Sequence, residues 1–113
     1  MNNSIDEWGM DPSVMMMRKV FKDMESAQSK LLQECGISQY DFRIREWREK
    51  ALAAFEKAWE EAPRMGIEMN DQTAPVVYMS CLRRIMGLNG IKVNKDIIPE
   101  YKGMEKLLEG IFR

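Results

Sequence analysis

Cys35-Gly36-Ile37-Ser38-Gln39-Tyr40-Asp41-Phe42 sets a helix stop beside a helix start. Gly36 stands where a left-handed residue closes a helix. Ser38 follows as a good N-cap, with Asp41 at N3 in an acidic variant of the capping box. Ile37 and Phe42 take the N′ and N4 places of a hydrophobic staple.

Upstream of this joint, Val14, Met17, Phe21, Met24, Leu31 and Cys35 mark one helix face, with polar Gln28 inside the stripe. Asp11 as N-cap, Pro12 at N1 and a Met10–Met15 staple predict its start. Downstream, Ile44, Trp47, Ala51, Ala54, Phe55, Ala58, Trp59 and Ala62 mark a second helix, which Pro63 ends. Asp41–Arg45 and Glu46–Lys50 are i,i+4 pairs in the favourable order. Ala54, Ala58 and Ala62 form a small-residue edge that lets a neighbouring helix come close. Two helices of matched length, 12–35 and 39–62, joined by about three residues predict an antiparallel hairpin over residues 11–62.

A third helix is expected over 73–87, starting between Asp71 and Thr73 with Pro75 in its first turn. Val76, Val77, Met79, Cys81, Leu82, Ile85 and Met86 make it apolar nearly all round. Such a helix is central in its fold or half of an interface. Gly87 or Gly90 is expected to stop it. Ile91-Lys92-Val93 alternates but is too short for an independent sheet. Ile97, Tyr101, Met104, Leu108 and Ile111 predict a last helix over 97–112, in which Gly103 and Gly110 each cost about 1 kcal/mol. The fold class expected is all-α: four helices, a long antiparallel hairpin plus two shorter C-terminal helices over 71–113. Residues 1–10 are expected to be a flexible tail and 11–113 one domain.

The chain has 113 residues, 45% apolar and 31% charged, enough for one core. Seventeen basic against eighteen acidic residues leave a net charge of −1, without the basic excess of a generic nucleic-acid binder. There is no histidine, which excludes the usual Ser-His-Asp and Cys-His nucleophile systems and imidazole metal sites. Cys35 and Cys81 are far apart, so a cysteine zinc or iron–sulfur site within the chain is not expected. No P-loop or EF-hand spacing occurs. We therefore expect no cofactor, no bound metal and no catalysis. The first residues carry Asp6 and Glu7 rather than a basic n-region, and no apolar run is long enough to span a bilayer. The expected location is the cytoplasm, away from membranes, with both thiols reduced.

These exclusions leave a non-catalytic protein-interaction module as the leading reading: an adaptor or accessory subunit, self-associating through apolar helix faces. Eleven methionines suit adaptable contacts as well as core filling. Met15, Met16 and Met17 cannot all face one way on a helix. The candidate interface residues are Trp8, Met15, Met16, Phe21, Gln28, Trp47, Trp59, Met79 and Met86. Gln28 fits either a solvent boundary or a contact with a second copy. The partner expected is another protein, a second copy, or both. A second reading is a helix-turn-helix type of nucleic-acid binder using Arg83, Arg84, Lys92 and Lys95. Acidic residues in the last helix weigh against it. A third is a carrier of a small apolar ligand held between helices among Met and aromatic side chains.

Overall fold

A computed structural model of the chain describes residues 12–94, 98–99 and 101–112, with side chains in the first helix from residue 18. Four α-helices carry the fold: α1 (Pro12–Glu34), α2 (Arg43–Glu61), α3 (Thr73–Leu88) and α4 (Met104–Ile111). A 3-10 turn, Ala62–Met65, continues α2 through Pro63. The described residues contain no strand, so the chain is all-α. The Asp11 cap, the Met10–Met15 staple and the 1–10 tail lie outside the described residues.

Gly36 ends α1 as expected. Its φ is +70°, the Ile37 N–H donates to the Leu32 carbonyl at 2.9 Å, and the Gly36 N–H donates to Gln33 at 3.1 Å. These two bonds satisfy carbonyls that the last helical turn would leave open, and they turn Ile37 back toward the helix. The same pair recurs at the end of α3, where Ile91 N–H reaches the Met86 carbonyl and Gly90 N–H that of Gly87. Gly90, not Gly87, is therefore the stop.

The start of α2 differs from expectation. Ser38 Oγ accepts from the Tyr40 N–H at 3.1 Å and so shapes the loop rather than capping the helix. Asp41 does the capping, accepting the Arg43 N–H at 2.9 Å. It also takes both ends of the Arg43 guanidinium, at 3.1 and 2.8 Å, instead of pairing with Arg45. Arg45 turns to Glu49 at 3.6 Å, while the Glu46–Lys50 pair forms at 2.9 Å. A carboxylate with charged and backbone donors outcompetes a hydroxyl for the cap. The later start places Phe42 before the helix at 89% exposure, so the Ile37–Phe42 staple does not form.

An unforeseen cap starts α3. Asn70 Oδ1 accepts the Gln72 and Thr73 N–H groups at 2.8 and 3.0 Å, and Thr73 Oγ1 accepts the Asn70 N–H at 2.9 Å. The reciprocal bonds satisfy donors on both sides of the helix entry.

The third helix is the centre of the fold. It packs along both α1 and α2, and those two seams dominate the tertiary packing. The expected direct packing of the two long helices is thus replaced by packing of each on α3. One link between them is an open ion pair, Arg48–Glu25 at 3.6 Å. The reason lies in α3 itself: Ala74, Val77, Tyr78, Cys81, Leu82, Ile85 and Met86 are all buried, and no single neighbour covers so wide a surface. Ala51, Ala54 and Ala58 of α2 and Ala62 of the 3-10 turn are buried and permit the close approach of α2. Phe55 meets Tyr78 edge-on at 6.1 Å and Trp59 at 5.8 Å. Against α1, Tyr78 donates to Gln28 Oε1, and Lys19 reaches Asp71 at 2.9 Å.

The last helix begins at Met104, seven residues later than the spacing predicts. Gly103, read as an internal helical residue, instead sits before the helix at φ +88°. Of the expected stripe, Met104 and Leu108 are buried, Tyr101 is 38% exposed and Ile97 lies outside the described residues; a left-handed residue cannot lie inside an α-helix. Ile98, Met104, Leu107 and Leu108 are nonetheless all buried.

Candidate functional site: a cation-rimmed groove

A groove of about 490 Å³ lies between the second half of α3, the 91–93 segment and α4. Its floor is apolar, built from Ile91, Val93, Ile98, Met104, Leu108 and Phe112. Arg83, Arg84 and Lys92 line its edges together with Glu105.

Local structure explains this arrangement. Arg83 and Arg84 lie on the one plainly polar side of α3, half-buried at the edge of the groove. The Gly90 turn sends the chain back across the end of α3. From there Ile91 and Val93 are half-buried while Lys92 is exposed, so the alternation read in the sequence survives without a sheet. Met104, Leu107 and Leu108 bury one face of α4, and Glu105 is left at the surface.

Arg83, Arg84 and Lys92 form no ion pair among the described residues. Among the described residues, the groove therefore combines an apolar surface with three cations that form no ion pair. Ser80, which also lines the groove, is buried. Its hydroxyl donates to the Val76 carbonyl at 2.9 Å and lies 3.3 Å from the Met104 sulfur. Burial pushes the Cys81 thiol up to about 12, against the opposing pull of Arg84. The thiol is thus held protonated and out of reach. No cluster of three or more metal-binding side chains occurs among the described residues. The groove offers an apolar surface below and positive charge, which attracts anionic groups, at the rim.

The interface candidates scatter. Trp47, Met79 and Met86 are 2%, 7% and 0% exposed, so all three are core side chains. Trp47 also lies under the Arg43 guanidinium, 4.9 Å from its carbon. Trp59 is half-buried on Phe55. Gln28 is half-buried, its amide oxygen engaged by Tyr78. Phe21 is 49% exposed beside a small cleft of about 80 Å³ that Gln28, Arg48 and Tyr78 also line. Trp8 and Lys95 lie outside the described residues, as do the side chains of Met15 and Met16.

Of the alternative cationic set, Arg83, Arg84 and Lys92 do converge, but on an apolar groove. Fifteen residues separate α3 from α4, where a helix-turn-helix has a turn of about 3–4 residues. Sequence reasoning missed Leu88, Ile98 and Phe112. Leu88 is 79% exposed and lines the groove together with the three cations. Leu88, four residues after Arg84 and so on the same helix face, was the available signal.

Comparison with known proteins returns nothing. No family model, no curated protein and no solved structure matches this chain significantly. No described helix is long and apolar enough to cross a membrane.

Proposed function

We propose that this chain is a non-catalytic protein-interaction module, a cytoplasmic adaptor or accessory subunit, that engages its partner through the α3–α4 groove. One observation carries this reading: an apolar groove whose three rim cations have no carboxylate partner among the described residues. Desolvated apolar contact supplies affinity, and the unpaired cations supply orientation and partner choice. Leu88, 79% exposed at the groove edge, extends the apolar surface toward a partner.

The test is site-specific photo-crosslinking in the native host. A photoreactive residue in place of Leu88 is expected to capture a defined protein adduct. The adduct is expected to disappear in an Arg83→Glu, Arg84→Glu background and to weaken at high salt. The same photoreactive residue in place of Lys57, exposed on α2, is expected to capture none. Equal capture at both positions, or capture indifferent to the charge reversal, would defeat the reading.

The groove's volume also falls in the range of small-molecule sites, roughly 300–1,000 Å³. That favours carriage of a small anionic apolar ligand as the second reading. Native mass spectrometry of gently isolated protein separates the two, since a carrier shows one chain plus a small extra mass.

A further inference from the structure

The groove and one stretch of the chain have opposite chemistry. Residues 5–11 read Ile-Asp-Glu-Trp-Gly-Met-Asp: three carboxylates, no base, and three large apolar side chains. Among the described residues, the groove presents Arg83, Arg84 and Lys92 against one carboxylate, Glu105, above an apolar floor.

We propose that the α3–α4 groove is filled by residues 5–11 of a second copy of this chain, with Trp8 on the apolar floor and Asp6 and Glu7 at the cationic rim. The inference rests on the interaction-module reading and names its partner. Trp is the side chain most suited to anchor such a contact, because it buries a large area with few rotatable bonds.

Reach decides between the chain's own segment and a neighbour's. Lys19 pairs with Asp71 and Gln28 with Tyr78, so α1 and α3 run in the same direction. Pro12 lies sixteen residues before Gln28, and Arg84 six residues after Tyr78. At 1.5 Å per helical residue, Pro12 is about 33 Å from Arg84 and about 27 Å from Ser80, the near end of the groove, along the shared direction. A fully extended chain spans at most about 14 Å from Pro12 back to Trp8. The chain's own Trp8 falls short of the groove, whereas that of another molecule is free of this tether. Two copies that exchange segments reciprocally make a closed dimer with two such contacts.

The experiment uses full-length chains and native mass spectrometry across a concentration series. The wild-type chain is expected to dimerise, and both Trp8→Ala and the Arg83→Glu, Arg84→Glu variant to dimerise at least tenfold more weakly. Mixing these two variants is expected to restore a heterodimer, since one keeps its groove and the other its segment. Lys92→Glu, at an exposed position, provides a second groove variant if the double reversal disturbs folding. A synthetic peptide of residues 4–11 is expected to bind the Trp8→Ala chain and to bind the groove variants at least tenfold more weakly. A dimer that persists unchanged in both variants, or a peptide that fails to bind, would overturn the proposal. A wild-type monomer that still gives a foreign protein adduct at position 88 would also overturn it, while leaving the interaction-module reading intact. Loss of that charge-dependent adduct as well would remove both.

Discussion

The Tyr78 hydroxyl donates its proton to the Gln28 amide oxygen across the seam between α3 and α1. Tyr78 is 2% exposed and meets Phe55 of α2 edge-on, so one side chain ties the central helix to both long neighbours. Tyr78→Phe leaves the Gln28 oxygen without its donor and is expected to cost about 1 kcal/mol in urea unfolding. Gln28→Leu leaves a hydroxyl deep in the core, at a cost of about 1–3 kcal/mol. The double variant is expected to cost less than the sum by about 1 kcal/mol. Strict additivity would mean that the bond contributes nothing to the seam.

Alkaline pH should loosen the same helix. Burial raises the Tyr78 phenol from 10.0 to about 12 and the Cys81 thiol from 9.0 to about 12. Both groups hold their protons more tightly folded than unfolded. Their contribution is therefore intact below about pH 9 and lost as pH rises toward 12. Thermal melts by circular dichroism are expected to fall steadily over that window. The fall should be shallower in Cys81→Ala, measured against its own neutral-pH stability.

The two thiols should also separate kinetically. Cys35 is half-buried at the end of α1, and Cys81 is fully buried in α3. A disulfide reagent at neutral pH is expected to modify Cys35 first. Cys81 should react only at the rate at which the core opens, and Cys35→Ser should abolish the fast phase. Fast modification of both thiols would contradict the central position of α3.

Close approach of α2 to α3 depends on alanine. Ala58 is 0% exposed on that edge. Ala58→Leu is expected to cost about 1–3 kcal/mol by overpacking. Phe42→Ala, at 89% exposure, should stay within about 0.5 kcal/mol of wild type. Matched urea denaturations test both.

The last helix offers a paired test. Gly103→Ala forces a side chain into φ +88° and is expected to cost about 1–2 kcal/mol. The added Cβ would stand 3.7 Å from Ile67, so the strain comes from the backbone rather than from a clash. Gly110→Ala, within α4 and facing open space, is expected to gain up to about 1 kcal/mol. Equal effects at the two glycines would place both inside one helix.

Local chemistry in the sequence was sufficient for the all-α class, the Gly36 stop and the existence of four helices. Apolar period, glycine and proline act over a few residues and can be read without knowing what lies opposite. The wide apolar surface of α3 was equally visible, and its central position follows from the area it must bury. Three things were decided only in the tertiary structure. Asp41 displaced Ser38 as the cap because its carboxylate also holds the Arg43 guanidinium. Gly103 left the helix because its backbone is left-handed, at φ +88°, where the turn sets it near Ile67, 36 residues away in sequence. Trp47, Met79 and Met86 went to the core, while Arg83, Arg84 and Lys92 met Phe112 and Leu108 across a groove. Periodicity identifies which side chains share a face of one helix. Whether another helix covers that face depends on how the helices pack, and the packing also sets where a gap is left.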